Sequence, residues 1–258
     1  MKKFIAMLLA LAMVLAFAGC AGSAAPETTP ATEAPVTEVP ATEAPVVETE
    51  APAVETEAAV EIMTHEEFMA AELESIVTVE TYVQATQSWW DNKITVYCQG
   101  EDGAYFLYEL ACSEEDAAKM VPGTKIRVTG DKGEWAGEVE IMNGTFEFVD
   151  GESFIAEATD VTELLGTEEL IAHQNEFVSF TGLTIEAINY KNGEPGDDIY
   201  VTVGYNDASY EFCVERYLTG PETEVYATVG TLNVGDLVNV EGFLYWYEIG
   251  RASCRERV

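Results

Sequence analysis

Apolar and polar residues alternate with a period of two along most of the chain after residue 76. Over 77–84, Val77, Val79 and Val83 are separated by polar side chains, a pattern typical of a half-buried strand. The same alternation predicts strands at 94–99, 105–111, 125–129 and 138–141, with 145–149 as an extension. Residues 100–103 read as a hairpin connection.

Short helices separate some of these strands. One is predicted over 64–74, where Thr64 and Glu67 have the spacing of a capping box. Its apolar stripe would consist of Phe68, Met69 and Leu73. A second is predicted over 113–120, with acidic residues at its positive end. The resulting order is three strands, a short helix and two strands.

An internal repeat suggests a second copy of this arrangement. Residues 123–130 (GTKIRVTG) match 235–242 (GDLVNVEG) in spacing, and three further strands are predicted before the second copy. They lie at 177–186, 198–204 and 209–215. A helical segment over 160–173, capped by Thr159 or Asp160, would link the two halves.

This order resembles the OB fold, a five-stranded Greek-key barrel with a helix between its third and fourth strands. The resemblance is to OB-like domains of exported Gram-positive surface proteins and covers about 72–248. We predict a mainly all-β protein with two tandem OB-like five-stranded barrels and short connecting helices. The first barrel would span 62–152. The second barrel would span 153–248 and would lack its last strand.

The N-terminal segment is predicted to be a bacterial export signal. Lys2 and Lys3 precede an apolar stretch that ends in Phe17-Ala18-Gly19-Cys20, which resembles a lipobox. The resemblance implies cleavage and diacylation at Cys20, and thus a Firmicute-like lipoprotein held on the outer face of the cell membrane. Residues 21–61, rich in Pro, Thr and Glu, are predicted to be a disordered spacer.

The last ten residues, 249–258, do not match the rest of the chain in composition. They read IGRASCRERV, which resembles translated sequencing adapter, and they contain three arginines. We therefore expect them to be an artefact that is not part of the second barrel.

The charge of the chain constrains its partners. The formal net charge is −35, and 62–248 holds seven basic residues against 37 acidic ones. Since nucleic-acid binding relies on Lys and Arg neutralising phosphates, this balance argues against a nucleic-acid partner.

Candidate catalytic and metal-binding chemistry is sparse. Only His65 and His173 are present, and no nucleophile motif or metal-ligand spacing accompanies them, so we predict neither an enzyme nor a cofactor. A weak calcium candidate is the acidic loop containing Glu194, Asp197 and Asp198. Pairing among Cys98, Cys112 and Cys213 stays open, although hairpin register should place Cys98 opposite Tyr105.

Aromatic residues are the best candidates for ligand binding. On the predicted barrels, all four tryptophans map to the loops that bind ligands in OB folds. The candidates are Trp89, Trp90, Trp135, Tyr245, Trp246 and Tyr247. Packing at the barrel ends is the competing interpretation, because adjacent Trp89 and Trp90 should point to opposite sides.

Two functions follow from this pattern. The first is a lipid-anchored, non-catalytic binding or scaffold protein for a glycan or a surface protein. The alternative is a single-stranded nucleic-acid-binding OB protein at the cell surface, or an accessory domain of an extracytoplasmic hydrolase.

Overall fold

A computed structural model describes residues 61–246 and the strand Ala252–Glu256. These residues belong to one compact unit. Cys20, the predicted signal and spacer up to residue 60, and Tyr247 lie outside the described residues. No helix within the described part of the chain is long and apolar enough to cross a membrane.

The first half of the unit is a closed five-stranded barrel in the order β1-β2-β3-β5-β4. Helix α1 (His65–Ala70) precedes the barrel, and α2 (Glu114–Ala117) lies between β3 and β4. The strands are β1 (Ile76–Thr86), β2 (Lys93–Gln99), β3 (Ala104–Ala111), β4 (Lys125–Trp135) and β5 (Glu138–Phe148). The mainly β class is confirmed, and this barrel is compatible with an OB-like fold.

The second half is a six-stranded sheet in the order β10-β11-β9-β8-β7-β6, in which β10 also pairs with β7. Two 3-10 helices, Thr162–Leu164 and Glu168–His173, follow β6, and α3 (Glu224–Val229) precedes β10. The strands are β6 (Thr159–Asp160), β7 (Phe177–Tyr190), β8 (Ile199–Tyr205), β9 (Ala208–Val214), β10 (Leu237–Trp246) and β11 (Ala252–Glu256). Strand β11 lies within the ten residues that the sequence assigns to adapter, and that origin stays a prediction.

The internal repeat has the same backbone geometry in both halves. Gly123 and Gly235 both have positive φ, 89° and 95°. The amide of Gly123 donates to the carbonyl of Val83 at 2.7 Å, and that of Gly235 donates to the carbonyl of Ile185 at 2.8 Å. Each copy therefore begins the strand that pairs with the first long strand of its own half.

Period-two alternation correctly predicted which residues of β1 form the core. Val77, Val79 and Val83 are fully buried in the first core cluster. The predicted register of the β2–β3 hairpin is also confirmed, since Cys98 pairs with Tyr105. Cys98, Cys112 and Cys213 are buried thiols, and none of the described residues forms a disulfide with them.

Several element boundaries differ from the prediction. The capping box at Thr64 and Glu67 is present, but α1 ends at Ala70, and Met69 and Leu73 are 42% and 53% exposed. The predicted apolar stripe is therefore wrong except for Phe68, which is buried. The predicted helical segment 160–173 is two 3-10 turns, because Gly166 between them has a φ of 80° that an α-helix cannot accommodate.

The two halves pack through aromatic side chains. The rings of Tyr97 on β2 and Phe243 on β10 are stacked with centroids 4.7 Å apart, and Phe106 on β3 meets Tyr245 edge-on at 5.2 Å. The side-chain amide of Gln174 adds hydrogen bonds to the β4–β5 hairpin, accepting from the amide of Val139. The structure does not separate these halves into two independent domains.

Candidate ligand-binding groove

The β1–β2 connection presents one tryptophan to solvent. Asp91 and Asn92 both have positive φ, 48° and 60°, and the backbones of Trp90 and Lys93 exchange two hydrogen bonds of 3.0 and 2.9 Å. This is the geometry of a two-residue hairpin turn, for which Asn and Asp are favoured. Trp90 is 79% exposed at the start of this turn.

Trp89 points the other way. Its ring packs against the core of the first barrel, and its indole Nε1 donates to the carbonyl of Cys112 at 2.9 Å. The expectation that the two adjacent tryptophans face opposite sides is met. Trp89 supports the hairpin, and Trp90 is the one exposed to solvent.

The opposite wall of the groove comes from the segment after β9. The backbone amide of Ser88 donates to the carbonyl of Tyr217 at 2.8 Å, and the Gln87 amide nitrogen donates to both carboxylate oxygens of Glu215 at 2.9 and 3.1 Å. These bonds hold Arg216 and Tyr217 beside the hairpin. Sequence reasoning missed both residues, because no motif links positions so far apart in the chain.

Between the walls lies an open groove of about 500 Å³. Its lining includes Trp89, Trp90, Lys93, Glu109, Arg216 and Tyr217. Tyr217 is 55% exposed, and its ring and that of Trp90 both line the groove. The groove can therefore receive a flat ring beside either aromatic side chain.

Arg216 differs electrostatically from the other basic residues. Five of the seven Lys and Arg residues between 61 and 246 are ion-paired with carboxylates. They are Lys93, Lys119, Lys125, Arg127 and Lys191. Lys132 instead donates to two backbone carbonyls. Within the described residues, the Arg216 guanidinium has no ion-pair partner and lies 5.8 Å from the Tyr217 ring centroid.

The sheet face on which OB folds bind oligonucleotides is closed in the first barrel. That face is built on the second and third strands, where Tyr97 and Phe106 would serve as an aromatic platform. Both rings are buried against Phe243 and Tyr245 of the second half. The groove lined by the β1–β2 hairpin is separate from this buried face.

The remaining predicted aromatic sites are not brought to the groove. Trp135 ends β4 beside a two-residue turn and is exposed, but it does not line the groove. Tyr245 is 4% exposed and belongs to the packing between the halves, because alternation along β10 turns it toward the first barrel. Trp246 ends β10, and its side chain is outside the described set, as is Tyr247.

The acidic loop with the calcium candidates carries a lysine among its carboxylates. The Lys191 ammonium lies 2.8 Å from the Asp198 carboxylate, which also accepts from the amide of Arg216. Asp197 accepts from the Asn192 side chain at 2.6 Å. Among the described residues, no group of three acidic, His or Cys side chains could hold a metal ion. Lys191 pairs with two carboxylates of this loop, and the calcium candidate Glu194, Asp197 and Asp198 stays a prediction.

The two histidines contact neighbouring side chains, and the Cys98 thiol is buried in the core. His65 packs edge-on against the Tyr105 ring at 5.2 Å, and burial lowers its pKa despite the nearby Asp102 carboxylate. His173 contacts Glu176 at 2.8 Å. Burial strongly raises the pKa of the Cys98 thiol, which disfavours the nucleophilic thiolate.

Comparison with known proteins identifies no family. No family model matches the chain, and no curated protein matches it. Similar solved structures include a murine DNA-binding protein bound to double-stranded DNA, at 12% identity and a TM-score of 0.35, covering 68% of this chain and 90% of that one.

Two further similar structures contain DNA. The Ifi202 HINa domain in complex with 20-base-pair DNA is 10% identical, with a TM-score of 0.31, over 55% of this chain and 74% of that one. A replication protein A heterotrimer bound to single-stranded DNA is 10% identical, with a TM-score of 0.29, over 64% and 43%. At TM-scores below 0.5, these likenesses assign no ligand to this chain.

The exclusion of nucleic acid as a partner is nevertheless corrected on local charge, and three structures to which the chain is similar contain DNA. The exclusion rested on charge summed over the whole chain. Exposed charges more than about 8 Å apart are largely screened at physiological salt, so the local arrangement decides. Locally, an arginine with no ion-pair partner among the described residues lies beside exposed aromatic rings.

Proposed function

We propose that the protein is a non-catalytic binding module that holds an unpaired nucleic-acid strand in the groove between its two halves. The observation that carries this proposal is the Arg216 guanidinium, which has no ion-pair partner in the described structure, lies 5.8 Å from the Tyr217 ring centroid and lines the same groove as Trp90. Bases stack on aromatic side chains regardless of sequence, and a guanidinium can pair with a phosphate.

Stacking should supply most of the affinity. Each stacked base contributes about 1–3 kcal/mol, whereas the groove offers one available cation and a second, Lys93, that is paired with Glu109 at 2.6 Å. With one or two phosphates contacted, log K should fall with log salt at a slope of about −0.7 to −1.4. Strongly basic binding proteins have much steeper slopes, so a shallow slope is a signature of this site.

A neutral glycan is the second candidate ligand. Five of the seven basic residues between 61 and 246 form ion pairs with carboxylates. The remaining surface is acidic, so it repels a polyanion but not an uncharged sugar chain. Sugar rings can stack on the same exposed faces of Trp90 and Tyr217. The accessory role in a hydrolase has no supporting observation in the groove.

The cellular setting is proposed from the sequence. A lipid anchor on Cys20 and an acidic spacer would place the module on the outer face of a bacterial membrane. We also infer that the second half is a second OB-like barrel. Its strand order and the shared hydrogen bonds of Gly123 and Gly235 support that inference.

Tryptophan fluorescence titration of the whole chain tests the ligand class. Oligothymidylate, soluble cell-wall fragments and neutral polysaccharide fragments would be added separately at several salt concentrations. Trp90→Ala should weaken binding of the true ligand about tenfold. Trp135→Ala is the matched control, because Trp135 is also an exposed tryptophan before a two-residue turn.

The outcomes separate the two candidates. Saturable oligothymidylate binding with a shallow salt slope and a loss only in Trp90→Ala supports the nucleic-acid proposal. Binding of a neutral glycan alone, with a loss only in Trp90→Ala, would show that the groove binds sugars instead of nucleic acid. Equal effects of both substitutions, or binding of neither ligand class, would refute the groove as the binding site.

A further inference from the structure

A second groove adjoins the first on the other side of Arg216. It has a volume of about 530 Å³ and is lined partly by the same residues as the first. The shared residues are Gln87, Ser88, Trp89, Ile94, Arg216 and Tyr217. Each groove has the volume of a small-molecule site, and the two meet along this common wall.

The two grooves differ in chemistry. The first is bordered by Trp90 and by the ion pair of Lys93 with Glu109, whereas the second is bordered by the carboxylates of Glu114 and Glu222, which are unpaired among the described residues. The carboxylates of Glu114 and Glu222 accept no hydrogen bond and form no ion pair within the described part of the chain. Both carboxylates can accept hydrogen bonds, and no described residue donates one to them. The second groove therefore suits hydroxyl or amino groups of a ligand and repels phosphate.

We infer that the site binds two adjoining units of a chain, with the single anionic link between them at Arg216. This inference rests on the proposed function and specifies its ligand as a dinucleotide unit. One base stacks in the first groove against Trp90 or Tyr217, and the bridging phosphate pairs with Arg216. The next unit places its donor groups in the carboxylate-lined groove, and a further phosphate there is repelled.

Both halves of the molecule are required for this arrangement. Trp90 and Glu114 belong to the first barrel, whereas Arg216, Tyr217 and Glu222 belong to the second half. The wall between the grooves is fixed by the bonds of Ser88 and Gln87 to the 215–217 segment. The spacing of the two units is therefore set by the contact between the halves.

A ligand-length series on the whole chain tests the inference. Thymidine, the dinucleotide with one linking phosphate, the trinucleotide, and a dinucleotide with an uncharged methylphosphonate link would be titrated by calorimetry. Affinity should rise about tenfold from thymidine to the dinucleotide and change less than threefold on adding a third unit. The methylphosphonate link and Arg216→Gln should each abolish that rise.

Two control measurements complete the design. Arg127→Gln removes the same charge from an arginine that is ion-paired with Glu80 and lies outside both grooves, and it should leave the series unchanged. A terminal phosphate on the second unit should weaken binding in the parent chain, and Glu222→Gln should relieve that loss.

The possible failures are distinguishable. If thymidine and the dinucleotide bind equally and Trp90→Ala weakens both, the two-unit inference is overturned and the proposed function survives with one subsite. If affinity keeps rising with each added unit, the two-unit limit is overturned. If no nucleotide binds at all, the proposed function itself fails.

Discussion

Substitution of Phe243 tests whether the two halves fold as one unit. Its side chain is fully buried at their contact, where it stacks on Tyr97 at 4.7 Å and meets Phe177 at 5.3 Å. Truncating a buried Phe to Ala costs about 3–5 kcal/mol, including the cavity that remains. For a unit of this size, each kcal/mol lowers the melting temperature by roughly 2–4 °C, so Phe243→Ala should lower it by about 10 °C.

The contribution across the contact can be isolated with a double-mutant cycle. Phe243→Ala, Tyr97→Ala and the double variant would be unfolded in urea and followed by circular dichroism and tryptophan fluorescence. Aromatic pairs contribute about 0.5–1.5 kcal/mol beyond burial, so the coupling energy should fall in that range, and every variant should unfold in a single transition. Two transitions with only one shifted, or a coupling near zero, would show that the halves fold independently.

Three further predictions concern buried or partly buried polar side chains. Lys132→Met should destabilise the fold by about 2–4 kcal/mol in denaturant titrations, because it removes two hydrogen bonds to carbonyls at the end of α1; an unchanged midpoint would contradict that role. Gln84→Leu should cost a similar amount, because the buried amide bonds three carbonyls and one amide, and a value below 0.5 kcal/mol would exclude this bonding. The pKa of His65 is lowered in the folded state. The stability that this side chain contributes is therefore full above about pH 6.5 and is lost as the pH falls below that value. His65→Phe should accordingly flatten the plot of melting temperature against pH between about pH 5 and 7.

The alternation of residues was enough to predict most strands and the order of the first barrel. Strand β4 extends beyond the predicted 125–129 to Trp135, and β5 joins the predicted segments 138–141 and 145–149 into one strand. Gly130, Gly133 and Gly144 interrupt the apolar alternation there, and neighbouring residues lie close to each of them. A side chain at Gly130 would lie 2.7 Å from Ile141, and one at Gly144 would lie 2.8 Å from Leu110. Such constraints come from the neighbouring strand and leave no periodic signal in the chain itself.

The groove could be predicted only in part. Trp90 was a candidate because it falls in a loop between two predicted strands, and loops carry exposed aromatic residues that bind ligands. Arg216 and Tyr217 were not candidates, because they are separated from Trp90 by more than 120 residues in the chain. Tyr245 was a candidate for a ligand loop, yet it packs between the halves because their contact covers that side of β10.

The sequence by itself determined the β class, the repeated turn at Gly123 and Gly235, and the acidic balance of charge. Each of these is local or additive, because alternation, glycine conformation and composition need no knowledge of distant neighbours. Tertiary structure alone decided which face of the first barrel is closed, which basic side chains are ion-paired and that Arg216 and Trp90 line one groove. These properties depend on contacts between distant segments, and pairing across such separations is encoded in packing and not in spacing along the chain.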